Sequence, residues 1–234
     1  VKEQVDLMYS LIHQQVDVIV LVPIDSKALV QPAVEAVRKG IPVINIDIQL
    51  DAQLLEQAGV EVAFVGPDNF AAAYEVGKLL GKKLRNEDKV AIIEGLAVAD
   101  NARQRKRGFI KAIEEKGLRL VASEPADWET EKAAEVFQAM WMRYPDLKAV
   151  YCSNDAMALG VLQQMQEKNC YLPVVGFDND AVMKEFLSTG KLVATADIFS
   201  SQMAVRGIEF ALDVLEGKIE NRGAHSTAYE IIKQ

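Results

Sequence analysis

The sequence predicts an α/β protein made of two doubly wound parallel-sheet lobes, and three observations carry that reading. Short runs rich in β-branched residues recur along the 234 residues, with amphipathic helical stretches between them. Several of these helical stretches stop at a glycine suited to the left-handed position that follows a helix: Gly40, Gly117, Gly190 and Gly217. The segment Gly66-Pro67-Asp68-Asn69 reads as a crossing from one lobe to the other, because Pro67 breaks a strand and Asp68 is placed to cap the next helix. Near-continuous apolar strands that alternate with helices form parallel sheets covered on both faces.

Taken in order, a helix over 2–14 opens the chain with no strand before it, and strand 17–22 (DVIVLV) follows. Helix 26–39 runs to Gly40, and strand 42–46 (PVINI) delivers Asp47. Strand 61–65 (EVAFV) meets the crossing, after which helix 69–85 leads to strand 89–93 (KVAII). Helix 101–116, strand 118–122 (LRLVA), helix 129–143 and strand 148–152 (KAVYC) continue the alternation. Helix 155–168, strand 173–177 (PVVGF), helix 180–189 and strand 192–196 (LVATA) come next. Helix 200–216 and strand 228–232 (AYEII) close the chain. The expected division is 1–66 plus 199–227 for an N-terminal lobe and 67–198 plus 228–234 for a C-terminal lobe. Because Val1 lies inside a helical pattern, the chain is expected to be processed or truncated, with a first strand and helix missing from the N-terminal lobe.

The composition is ordinary for a globular chain, 50% hydrophobic and 26% charged. A net charge of −8 argues against nucleic acid or an anionic membrane as the main partner. No apolar run approaches the roughly 20 residues that span a bilayer. Cys152 ends one strand and Cys170 precedes the next, which puts them at opposite edges of a sheet, beyond the ~7 Å reach of a disulfide. Two buried free thiols are expected.

In parallel α/β sheets ligands sit outside the carboxyl ends of the strands. Strand 42–46 ends in Asp47, strand 148–152 leads to Asn154, strand 173–177 ends in Asp178 and strand 192–196 in Asp197. Strand 89–93 leads through a loop to Arg103, and strand 118–122 leads to Trp128. Carboxylates and amides exchange hydrogen bonds with neutral hydroxyls, and arginine adds a rigid fork of donors. An indole offers an apolar face to the C–H side of a sugar ring. This mixture suits a neutral polyol or sugar and would repel a phosphate. Each residue also has a plainer reading: Asn154, Asp155 and Asp178 are all placed to cap helices, and Trp128 alone is more often core. Arg103 is more telling, since a cation in the first helical turn opposes the helix dipole.

Other motifs lead nowhere. GKLLGKK (77–83) has the wrong spacing for a phosphate loop and lies inside a helix. RQRKR (103–107) reads mostly as a solvated helix face. His13 and His225 have no Cys or carboxylate constellation for metal or acid–base work, and no nucleophile elbow occurs. No cofactor, metal or catalytic machinery is expected, so an enzyme is disfavoured.

The stretches IPVINIDIQ (41–49), VGPDNFAAAYEVGKLL (65–80), NARQRKRGF (101–109), PADW (125–128), SNDAMALGVL (153–162), VVGFD (174–178) and GKLVAT (190–195) run in order over essentially the whole chain. Together they resemble the type I periplasmic sugar-binding proteins of ABC transporters, in the ribose-binding-protein-like branch. The resemblance implies two lobes joined by three hinge crossings, near 66–68, 197–199 and 227–228, that close on a sugar. It implies that Asp47, Arg103, Asn154 and Asp178 hydrogen-bond sugar hydroxyls, that Trp128 stacks on the ring, and that Asp155 caps the helix behind. It further implies a membrane permease as partner, a monomeric state, no nucleic acid or membrane insertion, and a periplasmic or lipid-anchored extracellular location. Two positions depart from the ribose branch: Ile48 stands where it has Arg, and Ile198 where it has Gln, with Asp197 as the nearby polar group. The departures favour a smaller or less oxygenated pentose or polyol. The branch's first strand supplies an Asn and stacking aromatics, so a chain without it is expected to bind weakly. The effector core of a LacI-type repressor and a ligand-binding sensor domain share this fold, but KLVATAD (191–197) lacks the proline-leucine-threonine-threonine run usual in repressor cores.

Overall fold

In a computed structural model, which describes residues 1–233, the alternation forms two sheets flanked by helices. Along the chain the first elements are α1 (Lys2–Gln14), β1 (Ile19–Leu21), α2 (Val30–Arg38), β2 (Val43–Ile46), α3 (Ala52–Ala58) and β3 (Ala63–Pro67). They are followed by α4 (Asn69–Gly81), β4 (Lys89–Glu94), α5 (Asp100–Lys116), β5 (Arg119–Pro125), α6 (Thr130–Arg143), β6 (Ala149–Cys152) and α7 (Asp155–Glu167). The last are β7 (Val174–Val175), a 3₁₀ turn (Ala181–Met183), α8 (Lys184–Ser188), β8 (Leu192–Asp197), α9 (Ser200–Leu215), β9 (Ala224–Thr227) and β10 (Glu230–Lys233). The chain divides into a first unit of Val1–Pro67, Val98–Asn101 and Phe199–Ala228, and a second of Asp68–Ala97, Ala102–Ile198 and Tyr229–Gln234. No helix among the described residues is long and apolar enough to cross a membrane.

The first unit carries a parallel sheet in the order β1-β2-β3-β9. One face packs α1, α2 and α3 around Ile19, Leu21, Val34, Val43 and Leu50. On the other, α9 lies over Ile44, Ile46 and Val65. It approaches that closely because Gly207 has no side chain; a Cβ there would stand 2.6 Å from Ile46 Cγ2.

The second unit has the order β10-β8-β7-β6-β4-β5, parallel except for the antiparallel edge strand β10. Its strands are apolar on both faces, as a doubly covered sheet requires, with Val90, Ile92, Val150, Tyr151 and Val174 all fully buried. Gly40, Gly117, Gly190 and Gly217 all have positive φ, between +69° and +83°, which confirms their role as helix terminators.

Several expectations are corrected. The strand expected at 228–232 forms as β10 (Glu230–Lys233) in the second unit's sheet, and an unexpected strand, β9 (Ala224–Thr227), precedes it in the first unit's sheet. The unexpected α3 starts at Asp51, whose side chain accepts from the Leu54 N–H (3.0 Å), and stops at left-handed Gly59. Helix 26–39 begins only at Val30, because Asp25 Oδ1 holds the Lys27 and Ala28 N–H groups in a turn. Helix 180–189 is a 3₁₀ turn followed by five α-helical residues. Both cysteines are free, but only Cys152 is buried; Cys170 lies past the end of α7 and is partly exposed.

Helices α6 and α7 touch at Gly160, where an added Cβ would fall 2.0 Å from the Thr130 carbonyl oxygen. Helix propensity alone would make Gly160→Ala stabilising by about 1 kcal/mol. The close approach reverses the sign, and urea unfolding should show the variant less stable by about 1–3 kcal/mol.

Candidate ligand-binding site

In the second unit, the residues that follow the carboxyl ends of β4, β5, β6, β7 and β8 are tied into one polar network. At its centre is Arg105, only 3% exposed. Its Nε–H donates to Asn69 Oδ1 (2.9 Å), and its Nη1–H donates to the Ser153 carbonyl (2.8 Å) and to Asp178 Oδ1 (3.4 Å). The guanidinium lies 3.7 Å from the centroid of the Phe177 ring and 5.5 Å from that of Trp128. The sequence reading missed this residue and treated 103–107 as a solvated face. The signal was present: Ala102, Arg105, Phe109 and Ala112 fall at helical spacing on the buried face of α5. Lys106 is also engaged, with its Nζ 2.7 Å from Glu94 Oε1.

The turn after β7 is held by both buried charges of this unit. Asp178 has φ 111° and Asn179 φ 59°, conformations that non-glycine residues rarely adopt. Asp178 N–H donates to the Ala196 carbonyl (2.7 Å), while Asn179 N–H donates to Thr195 Oγ1 (3.2 Å) and its side-chain amide donates to Asp197 Oδ2 (2.9 Å). Asp180 N–H donates to Asp155 Oδ2 (2.8 Å), and the Thr195 hydroxyl donates to Asp155 Oδ1 (2.9 Å). Asp155 is fully buried, and burial raises its pKa to about 7, with the Asp178 and Asp180 charges adding to the rise and the bonds from Asp180 N–H and Thr195 opposing it.

Asp155 is therefore not the helix cap. Asn154 is, with its Oδ1 accepting from the Met157 N–H (2.9 Å). The cap occupies the oxygen of Asn154 and leaves its amide NH₂ group as the part suited to a ligand. Asp178 does not hold the cap position of the 3₁₀ turn either, since Asp180 is the residue that precedes it.

Trp128 follows Asp127, and the two have φ 71° and 52°, consecutive left-handed residues at the end of β5. The indole rests on Gly95, where a Cβ would stand 2.0 Å from its ring. Lys132 pairs with Asp127 and fixes the turn. Arg103 Nη1 donates to the Ala97 carbonyl (3.3 Å), so its first-turn position is held by a backbone contact. Arg103, Trp128, Asn154, Asp178 and Asp197 thus all belong to the second unit. Asp47 belongs to the first, with φ 63° and its N–H bonded to the Val65 carbonyl (3.1 Å). Its loop is braced by buried Asn45, which donates to the Leu21 (3.2 Å) and Ile48 (2.8 Å) carbonyls and accepts from the Leu50 N–H (2.7 Å). Among the described residues no group of three or more His, Cys, Asp or Glu is placed to hold a metal ion.

The raised pKa of Asp155 has a definite consequence for stability. Between the ordinary carboxylate range and about pH 7, the folded protein keeps a proton that the unfolded chain has released. Its contribution to stability therefore falls as pH rises through that window and levels off above it. Asp155→Asn has no such proton, so in urea unfolding the variant should gain on the wild type as pH rises from about 4.5 to 7.5. Parallel pH curves would contradict this.

The periplasmic binding protein domain family matches residues 1–219. A D-ribose/D-allose-binding protein of Pseudomonas aeruginosa is 40% identical over 234 residues, which span 98% of this chain and 73% of that protein. The D-allose-binding periplasmic protein of Escherichia coli is 34% identical over 217 residues, 91% of this chain and 70% of that one. The crystal structure of an ABC transporter solute-binding protein from Burkholderia multivorans, whose unknown ligand was built as alpha-D-erythrofuranose, superposes with a TM-score of 0.94 at 38% identity. It is covered over 83% of its length by 99% of this chain. A counterpart from Actinobacillus succinogenes with bound D-allose gives 0.91 at 31%, with the same coverage of 99% and 83%. The fold and these matches together place the chain in the periplasmic binding protein family.

Proposed function

We propose that the chain is a receptor for a neutral monosaccharide, which it delivers to the membrane permease of an ABC transporter. The observation that carries this reading is the network at the strand ends of the second unit. There Asp178 and Trp128 stand on strained backbone beside buried Arg105, Asn154 caps α7, and Arg103 and Asp197 add a guanidinium and a second carboxylate at the ends of the neighbouring strands. Strain held at strand ends is characteristic of functional sites. The set matches neutral hydroxyls and an apolar ring face in chemistry. In the first unit, Asp47 is a further candidate hydroxyl partner. The relatives' names, with ribose and allose among their ligands, support the same class. No residue of the set is arranged as a nucleophile with its base, so the chain acts by binding rather than catalysis. The family's name supports a periplasmic or extracellular setting, and a single copy is sufficient for the role. Ile48 and buried Ile198 remove two polar positions and favour a ligand with few hydroxyls.

Calorimetry against aldoses of four to six carbons, including ribose and allose, and against alditols tests the reading. One sugar should bind with one-to-one stoichiometry and without added metal. Asp178→Asn should weaken it about tenfold or more, since hydrogen bonds to charged groups contribute about 1.5–3 kcal/mol. Asn154→Asp should preserve the helix cap while it weakens binding, because the NH₂ donors are replaced by a charged acceptor. Absence of heat from every sugar would overturn the proposal.

A further inference from the structure

We propose that Asp155 is a positioning residue for the ligand: without touching it, the buried carboxylate sets the conformation of the turn at 176–180 and so the placement of Asp178. The inference rests on the sugar-site reading and names a residue that acts behind it.

β8 holds the backbone of this turn through the Ala194 and Ala196 carbonyls, and Asp155 and Arg105 supply the contacts that shape the rest of it. Gly176 admits the carboxylate, since a Cβ there would lie 2.0 Å from Asp155 Oδ1. The Phe177 carbonyl accepts from the Asp155 N–H (2.7 Å), while its ring lies under Arg105. Asp178 pairs with Arg105. Asn179 bonds to the Thr195 hydroxyl that Asp155 orients, and Asp180 bonds to Asp155 directly. Two donors from different elements, a backbone N–H on the turn and a hydroxyl on β8, converge on one side chain. Only a carboxylate offers two acceptor oxygens there; an asparagine would face one of the donors with its own NH₂. An acid in the first turn of α7 suits the helix dipole, but Asn154 already caps that helix, and the side-chain bonds of Asp155 lead to the turn, directly through Asp180 or by way of Thr195.

Protonation removes one of the two acceptors and forces the Thr195 hydroxyl to turn, which loosens Asn179. The groups that face Asp155 are Asp178 and Asp180 on the turn and Cys152 on β6, whose thiol burial keeps neutral, with Arg105 of α5 reached through Asp178. The protein's two histidines, His13 and His225, lie in the first unit. A change in affinity near neutral pH that belongs to this turn therefore reports Asp155.

The test uses the full chain and the tightest sugar from the panel. Affinities of wild type, Asp155→Asn and Thr195→Val are measured at about pH 5.5 and 8.5, together with hydrogen exchange of the 179 and 180 amides in ligand-free protein. At the higher pH both variants should bind about tenfold more weakly, as expected when a buried donor loses its acceptor, and the two amides should exchange faster. The wild type should lose affinity several-fold at the lower pH, and Asp155→Asn should not respond. If Asp155→Asn fails to fold, Thr195→Val carries the comparison through the same two readouts. Wild-type affinity and pH response retained in the variants would overturn the proposal and leave the sugar site standing. A wild type that binds no sugar at either pH would overturn both.

Discussion

The second unit depends on the burial of one guanidinium. Arg105 cannot shed its charge, so its place inside the protein is tolerable only if its donors are matched. Asn69 from α4, the Ser153 carbonyl at the end of β6 and the Asp178 carboxylate after β7 supply acceptors, and Phe177 supplies a ring face. Those four groups come from three separate places in the chain. Matching them fixes where the ends of two strands and the starts of two helices stand, which is what a site at strand ends needs.

A second buried charge, of opposite sign, completes the arrangement. Asp155 and Arg105 do not meet; they grip the same turn from different elements. The conformations held in this way are costly, about 1–3 kcal/mol for each residue in a sparsely populated region. Asp47, Asp127, Trp128, Asp178 and Asn179 all have positive φ, and all follow the carboxyl end of a strand. Of the remaining non-glycine residues with positive φ, Gln15 and Asn169 follow the ends of α1 and α7, where left-handed residues serve as terminators, Glu87 lies in the turn before β4, and Phe199 precedes α9. Five of the nine non-glycine residues with positive φ among the described residues thus follow strand ends that carry the ligand chemistry. The pairing of strain with hydroxyl-matching side chains is stronger evidence for a binding role than the side chains alone.

Much of this was legible in the sequence. The strand and helix alternation, the terminating glycines and the switch at Asp68 follow from local chemistry, because apolar runs and caps act over a few residues. The helix at 52–58 was equally local, with its Asp51 cap and Gly59 stop, and was overlooked because its apolar stripe is short. What sequence alone missed is non-local. Nothing near Asp155 reveals that Thr195 and Asp180 will reach it, so it read as an ordinary cap. Asn154 likewise showed its residue type but not which of its two amide ends was engaged. Arg105 is intermediate: its helical spacing marks a buried face, and only the habit of treating basic clusters as solvated hid it.

The measurement that bears most directly on this account is urea unfolding of Arg105→Lys. Lysine keeps the charge but is a point donor on a flexible stem, and it cannot reach Asn69, Ser153 and Asp178 from one plane while stacking on Phe177. If the guanidinium organises the strand ends, the variant should lose at least about 2 kcal/mol, the range for buried acceptors left without partners. A loss within about 0.5 kcal/mol, the range of an unremarkable surface substitution, would contradict it.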